Sequence, residues 1–152
     1  MPIDPNSAIA SGENPTALDN GLDSINMAMS ERFRGYLPVV VDIETGGFNA
    51  CNDAMLEIAA TMLEFDEQQT LMVGDTYNYH VKPFDGANID KASLEFTGID
   101  PYHPLRPSQA EEVVLKDLFT RIRQAIKAAG CKRAILVGHY ASFDQGFLNA
   151  AI

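Results

Sequence analysis

Two carboxylates, Asp42 and Glu44, have the residue types and spacing that most clearly suggest chemistry in this sequence. They follow three valines at 39–41, a run that predicts a strand buried on both faces. Side chains two positions apart lie on one side of a strand, and like charges there repel unless a divalent cation is bound. The glycine pair 46–47 permits a tight turn beside the ligand. The alternative is a strand that ends in a loop with two solvated acids.

A third carboxylate, Asp144, lies about a hundred residues later, after a second apolar run at 134–137 and Gly138. Acidic residues at the ends of neighbouring strands would complete a metal cluster, because ligands of open α/β sheets collect at such ends. The alternative is structural. Ser142 is a candidate N-cap of the helix that follows, and Asp144 would then lie in the first helical turn, where an acid is favoured electrostatically.

The remaining pattern predicts the elements that position these residues. Strands are predicted at 37–44, 55–64 and 76–83, the last after a turn at 73–75, and their order suggests an antiparallel meander. A fourth strand is predicted at 134–138.

Helices are predicted between and after these strands. A short helix at 89–95 is capped by Gly98, and a proline-rich loop covers 100–107. A longer helix begins at Ser108 with a capping box to Glu111 and ends at Gly130. A terminal helix starts at about residue 142. The buried face predicted for the longer helix consists of Val113, Val114, Leu118, Ile122 and Ile126.

Two runs, 42–48 and 138–144, resemble the first two motifs of the DEDD 3′→5′ exonucleases. Further segments are similar to the exoribonuclease T branch of that superfamily, namely 32–36, 55–60, 96–101 and 130–135. Two departures are evident. Tyr140 stands where the family usually has Asn, and the eight residues after Asp144 contain no third motif, H-x-x-x-x-D. The chain therefore resembles the N-terminal portion of such an enzyme. We expect this portion to be inactive by itself.

The resemblance implies a ribonuclease H-like α/β fold, with a mixed sheet whose first three strands are antiparallel and which is truncated at its C-terminus. It also implies a homodimeric enzyme with two Mg²⁺ ions per site, acting on RNA 3′ ends such as those of tRNA precursors, with single-stranded DNA 3′ ends as further substrates. The third-motif histidine would be the general base. The implied residues are Asp42, Glu44 and Asp144 for catalysis and metal binding, Phe48, Phe96 and Phe143 for base stacking, and Arg32, Arg34, Lys127 and Arg133 for guiding RNA.

Composition indicates one soluble, cytoplasmic domain behind an acidic, flexible leader at 1–30, and the resemblance implies that residues 31–152 are an exonuclease domain. The chain has 152 residues and a net charge of −10, and residues 1–31 contribute five acids and no base. The run 121–133 carries five bases and no acid, so it is either a phosphate-binding surface or an ordinary solvated helix face. Cys51 and Cys131 have no metal-like spacing and are expected to be unpaired thiols.

Competing interpretations remain open at this point. One is a non-catalytic fragment that binds RNA or metal, or that only dimerises. Another is a proofreading DNA exonuclease or an oligoribonuclease, which shares the motifs. A doubly wound nucleotide-binding domain is the alternative fold, but no G-x-G-x-x-G follows the first strand.

Overall fold

The computed structural model describes residues 29–152, so the predicted leader at 1–30 lies almost wholly outside the described residues. A 3₁₀ turn at Phe33–Gly35 leads into the first strand. The strands are β1 (Tyr36–Thr45), β2 (Met55–Phe65), β3 (Leu71–Lys82), β4 (Gln109–Ala110) and β5 (Arg133–Val137). The helices are α1 (Lys91–Thr97), α2 (Glu111–Ala128) and α3 (Ala141–Ala150).

These strands form one mixed sheet in the order β4-β3-β2-β1-β5. β1, β2 and β3 are antiparallel, as predicted, and β5 lies parallel to β1 at its other edge. β3 begins earlier than predicted, at Leu71, so the predicted turn at 73–75 is wrong. The reversal lies instead at Asp66, whose backbone N–H donates to the Thr70 carbonyl at 3.0 Å. The parallel pairing brings the C-terminal ends of β1 and β5 to the same side of the molecule.

The helices cover one face of this sheet and leave the other open. Val39, Val41 and Ile43 are buried in the core with α2 and α3. On the opposite face Val40 is 36% exposed and its β5 partner Val137 is 43% exposed. The prediction of a first strand buried on both faces is therefore wrong for the described part of the chain, because the long helices pack on one side only.

α2 begins later than predicted. Residues 109–110 pair with β3 as the short strand β4, so the helix starts at Glu111 with Ala110 at its N-cap and no side-chain cap. The Ser108 capping box is therefore wrong. Val113, which was predicted to be buried, is exposed, and Leu115 is buried instead. Gly130 follows the last turn with a φ of 61°, in agreement with the predicted helix end.

α1 matches the predicted short helix with a shift of two residues. The Asp90 side chain caps it by accepting from the Ala92 N–H at 3.3 Å, and Gly98 ends it with a φ of 71°. No helix within residues 29–152 combines the length and the apolar character needed to cross a bilayer.

Candidate active site

β1 places Asp42 and Glu44 on the open face of the sheet, as period two requires. Asp42 is exposed and Glu44 is half-buried. Across the antiparallel pair, Glu44 lies opposite Glu57 of β2, and a register shift follows immediately between Glu44 and Thr45. The two carboxylates therefore occupy the C-terminal end of β1, where the strand leaves its regular pairing.

Asp144 reaches the same end of β1 from α3. Its side chain is only 5% exposed, and its Oδ1 accepts a hydrogen bond from the Ile43 N–H at 3.1 Å. Gly138 makes this approach possible, since a Cβ there would lie 2.9 Å from the Val41 carbonyl oxygen. Asp144 is in the first turn of α3, but the N-cap position is Tyr140, so the predicted Ser142 cap is wrong.

The electrostatics of these carboxylates are unfavourable without a cation. Burial, and after it the charge of Asp42, raises the pKa of Asp144, while hydrogen bonds from its own N–H and that of Ile43 oppose the rise. Burial raises the pKa of Glu44 as well, with further contributions from Asp42 and Glu57. Both carboxyl groups therefore hold protons more tightly than usual, because burial, and after it the neighbouring negative charges, disfavour their charged forms.

Carboxylate oxygens are the hard donors that Mg²⁺ and similar ions prefer, so the chemistry of Asp42, Glu44 and Asp144 fits such an ion. The described residues contain no group of three or more His, Cys, Asp or Glu side chains placed to hold a metal by themselves. The donor set fits a divalent cation, but this stretch of chain does not form a closed cage around one.

A cleft of about 360 Å³ opens beside Glu44, and three aromatic side chains line it. We call it the phenylalanine cleft, after Phe48, Phe96 and Phe143. Phe48 and Phe96 are 85% and 91% exposed, whereas Phe143 is half-buried. The rings of Phe48 and Phe143 meet edge to face with centroids 6.2 Å apart, and Phe143 packs at 5.1 Å on Phe147 of the core. Two exposed rings and one anchored ring thus surround a space next to a carboxylate.

The turn that carries Phe48 is organised by Asp53, a buried residue that sequence reasoning missed. The Asp53 carboxylate accepts from the Asn49 N–H at 2.8 Å and from the Asn88 side-chain amide at 2.7 Å. A Cβ on Gly47 would collide with this carboxylate, so any other residue there would displace Asp53 from these hydrogen bonds. The available signal was an acid within a short turn that follows a glycine pair.

The turn after β1 also holds α1, which carries Phe96. The Asp90 N–H donates to the Gly46 carbonyl at 2.6 Å, and a Cβ on Gly46 would lie 3.2 Å from the Ile89 Cα. A side chain at Gly46 would therefore push back the segment leading into α1 by a few tenths of an ångström. The same turn positions Phe48 and Phe96, although the two residues are far apart in the sequence.

Residues 39–152 match the RNase_T exonuclease family model. The chain belongs to this exonuclease family. Among solved structures, its fold is similar to E. coli exonuclease I in complex with a dT13 oligonucleotide, and to the zinc-bound form of an E. coli exonuclease I complex with single-stranded DNA. Each match has a TM-score of 0.56 and 18% identity over 74% of this chain, and covers 22% of the other chain. The likeness shows the ribonuclease H-like exonuclease fold.

The four basic residues predicted to guide RNA lie away from the carboxylates Asp42, Glu44 and Asp144. Arg133 pairs with Tyr36 at the N-terminal ends of β5 and β1. Six residues of strand separate Tyr36 from Asp42, which corresponds to about 20 Å at ~3.3 Å per residue. Arg32, at the same end, lies 5.5 Å over the ring of Phe65. One chain therefore does not bring the predicted set Arg32, Arg34, Lys127 and Arg133 to its own carboxylates.

Part of the basic run 121–133 is structural. Arg121 bonds to Asp117 at 2.8 Å and stacks over Tyr77 at 4.6 Å, so it serves the packing of α2 on β3. Hydrogen bonds from Tyr79 and Arg121 lower the pKa of Asp117. Cys51 and Cys131 are free thiols, as expected.

Proposed function

We propose that this chain is the catalytic portion of an Mg²⁺-dependent 3′→5′ exoribonuclease of the exoribonuclease T type. The observation that carries this proposal is the joint position of Glu44, Phe48, Phe96 and Phe143 around one cleft. A nuclease that works from an end must hold unpaired terminal bases next to the groups that cleave the phosphodiester. Aromatic rings stack on any base, at about 1–3 kcal/mol each, so such a cleft accepts ends of any sequence.

In this proposal Asp42, Glu44 and Asp144 hold two Mg²⁺ ions. Bound Mg²⁺ would supply Lewis acidity for the attacking water and for the leaving 3′ oxygen. The residues of the chain orient those ligands. Asp144 is held by its bond to the Ile43 N–H, between the two β1 carboxylates in sequence. Phe48 and Phe96 are exposed and would stack on the terminal bases, and Phe143, which packs on Phe147, would form a fixed wall of the cleft.

The position of the basic residues supports a homodimer. Arg32, Arg34, Lys127 and Arg133 belong to the end of the sheet opposite the carboxylates, so their proposed role in guiding RNA requires the site of a second subunit. Their charge matters because the chain as a whole carries −10, and phosphate binding depends on local rather than net charge. Cytoplasmic trimming of tRNA precursors and other stable RNAs is the biological role that we propose. Residues 31–152 would form the exonuclease domain and 1–30 a leader.

A second candidate is hydrolysis of DNA 3′ ends, favoured by the likeness to the E. coli exonuclease I complexes with oligonucleotides. To decide between RNA and DNA as substrate, 5′-labelled RNA and DNA strands of one sequence are incubated with Mg²⁺ and the protein. The protein is a longer version of the chain that continues into the H-x-x-x-x-D motif. We expect a ladder of products shortened from the 3′ end, formed at least tenfold faster on RNA. Equal rates would favour the DNA alternative, and cleavage inside a strand blocked at its 3′ end would contradict an exonuclease.

A further inference from the structure

A second cleft, of about 420 Å³, lies beside the phenylalanine cleft. The two adjoin at two points. Glu44 lines the first cleft and its cross-strand partner Glu57 lines the second, and such partners have Cα atoms about 5 Å apart. Thr97 lines the first cleft and the next residue, Gly98, lines the second. A strand that enters the phenylalanine cleft by its 3′ end can therefore continue into the second cleft.

The carboxylate that faces this second cleft from the sheet is electrostatically compensated. The guanidinium of Arg106 lies 3.2 Å from Glu57, and Nδ1 of His80 lies 2.8 Å from the same oxygen. The Arg106 side chain is only 6% exposed and also donates to the carbonyls of Leu56 at 2.7 Å and Val81 at 3.0 Å. Glu57 is thus held in place, and the adjacent guanidinium partly offsets its charge and lowers its repulsion of a phosphate.

The outer wall of the second cleft is the segment 100–107, which its own hydrogen bonds hold in one shape. The Leu105 N–H donates to Nδ1 of His103 at 3.2 Å, and the Arg106 N–H donates to the His103 carbonyl at 3.0 Å. The Asp100 carboxylate accepts from the Tyr102 N–H at 3.1 Å. With Nδ1 accepting, a neutral His103 carries its proton on Nε2 and can donate from there.

This wall presents apolar surface that the fold does not use. Leu105 is 85% exposed although the segment is anchored through Arg106. Because its support is rigid, Leu105 would lose little conformational entropy on contact with a ligand in the cleft. An imidazole beside it can stack on an unpaired base, as aromatic side chains do in single-strand recognition.

We propose that the second cleft binds the nucleotides immediately upstream of the 3′-terminal bases of a single strand, through His103 and Leu105. The proposal rests on the proposed function of the phenylalanine cleft and extends the same site. It makes affinity depend on strand length, because a dinucleotide fills only the phenylalanine cleft and a longer strand also fills the second.

The test is binding of labelled oligouridylates of two and eight nucleotides by the 152-residue chain and by the double variant His103→Asn, Leu105→Ser. Asparagine keeps an oxygen acceptor for the Leu105 N–H, so the loop retains its turn. We expect the double variant to bind the octanucleotide at least about fivefold more weakly than wild type does, because at least one base contact is lost. Its affinity for the dinucleotide should stay within twofold of wild type. Val73→Ser is the matched control, since Val73 is 72% exposed on β3 and lines neither cleft.

Photo-crosslinking separates this inference from the function on which it rests. The probes are octamers with 4-thiouridine at the 3′ end or at the fourth position from it. We expect the terminal probe to label the phenylalanine cleft and the internal probe to label residues 100–107. The second subsite would be overturned if both probes labelled the phenylalanine cleft alone. It would also be overturned if the double variant changed the affinities for the dinucleotide and the octanucleotide equally, or changed neither. Failure of the unmodified chain to bind any oligonucleotide would overturn both proposals.

Discussion

At the scale of single residues, the site is defined by carboxylates whose charges are poorly balanced by the described protein atoms. Asp42 is the exposed member, and its charge contributes to the raised pKa of both Glu44 and Asp144. This position is consistent with the role that we propose for Asp42, as a residue that would help to hold both ions.

Substitution Asp42→Asn, in a version of the chain extended by an H-x-x-x-x-D segment, should abolish turnover and spare RNA binding. The reason is that the amide keeps the shape of the side chain but removes the charge that would bridge the ions. Single-turnover kinetics in saturating Mg²⁺, with binding measured by fluorescence anisotropy, checks this. More than about a tenth of the unsubstituted rate would remove Asp42 from the proposed role, since loss of one catalytic group typically costs ~10²–10⁴ in rate.

Substitution Asp144→Asn should stabilise the chain at neutral pH. The pKa of Asp144 is raised above its ordinary 3.8, so the folded state holds the proton to higher pH than the unfolded chain. Its contribution to stability is fully present below that ordinary pKa and is lost as pH rises through the raised one. Asparagine can still accept from the Ile43 N–H without burying a charge.

Thermal unfolding at pH 7 without divalent ions should therefore give a higher Tm for Asp144→Asn, by about 2–4 °C for each kcal/mol recovered. At pH 3 the difference should shrink, because the aspartic acid is then neutral in both states. Added MgCl₂ should raise the Tm of the unsubstituted chain more than that of the variant, since ligand binding stabilises the folded state. A lower Tm for the variant at pH 7 would contradict the assignment of burial as the main cause.

At the scale of elements, one turn between β1 and β2 orders the aromatic part of the site. Its carboxylate, Asp53, bonds to Asn49 within the turn and to Asn88 before α1. The cleft thus depends on a buried polar contact rather than on the helix α1 alone, which has only seven residues and none of them buried.

Substitution Asp53→Ala should destabilise the chain by about 1–3 kcal/mol, because it removes the buried acceptor of two part-buried hydrogen bonds. It should also weaken binding of a uridine dinucleotide, since the turn that carries Phe48 loses its support. Chemical denaturation and anisotropy measure the two effects. Cys51→Ala, an exposed position of the same turn, is the control and should change neither. A stable Asp53→Ala chain with unchanged dinucleotide affinity would show that the turn orders itself without this carboxylate.

The basic residues at the other end of the sheet belong to the start of β5 and the last turn of α2. In the extended chain, Lys127→Ala with Arg133→Ala should weaken RNA binding and reduce the salt dependence of log K by about 0.7 for each lost phosphate contact on a single strand. Lys116→Ala, on the exposed side of α2, is the control. An unchanged salt dependence would show that these residues make no phosphate contacts and form an ordinary solvated surface.

At the scale of the whole molecule, the open face of the sheet is the main feature. Val40, Ile135 and Val137 are between 36% and 49% exposed, next to Asp42. Apolar surface of this kind favours association with other chains. It lies on the same face as the carboxylates, so whatever covers it also bounds the site.

The 152-residue chain alone should show no significant Mg²⁺-dependent exonuclease activity on 3′-labelled single-stranded RNA. It lacks the third-motif histidine expected as general base, and its described carboxylates do not form a metal cage by themselves. Denaturing gels over a range of enzyme concentrations measure this. Processive release of nucleotides by this chain, lost in the variant Glu44→Gln, would contradict the prediction of inactivity. It would point to His139 or a second subunit as the source of the general base.

Local sequence patterns were sufficient for the main elements of the fold. Three consecutive valines predicted β1, and period two placed Asp42 and Glu44 on one side, because strand geometry depends only on neighbouring residues. The same local reasoning failed at Ser108, where pairing of residues 109–110 with β3 overrode a capping box. It also failed for the second face of β1, since burial depends on which helices pack there.

The sequence by itself determined the candidate carboxylates, the antiparallel order of the first three strands and the family. Only the tertiary structure brought Asp144 to the Ile43 N–H across 101 residues, revealed Asp53 beneath the Phe48 turn, and joined Arg106 to Glu57. The physical reason is the separation in sequence of the residues that interact. Helix and strand periodicity are set by residues a few positions apart, whereas a buried hydrogen bond between distant segments exists only after the chain has folded.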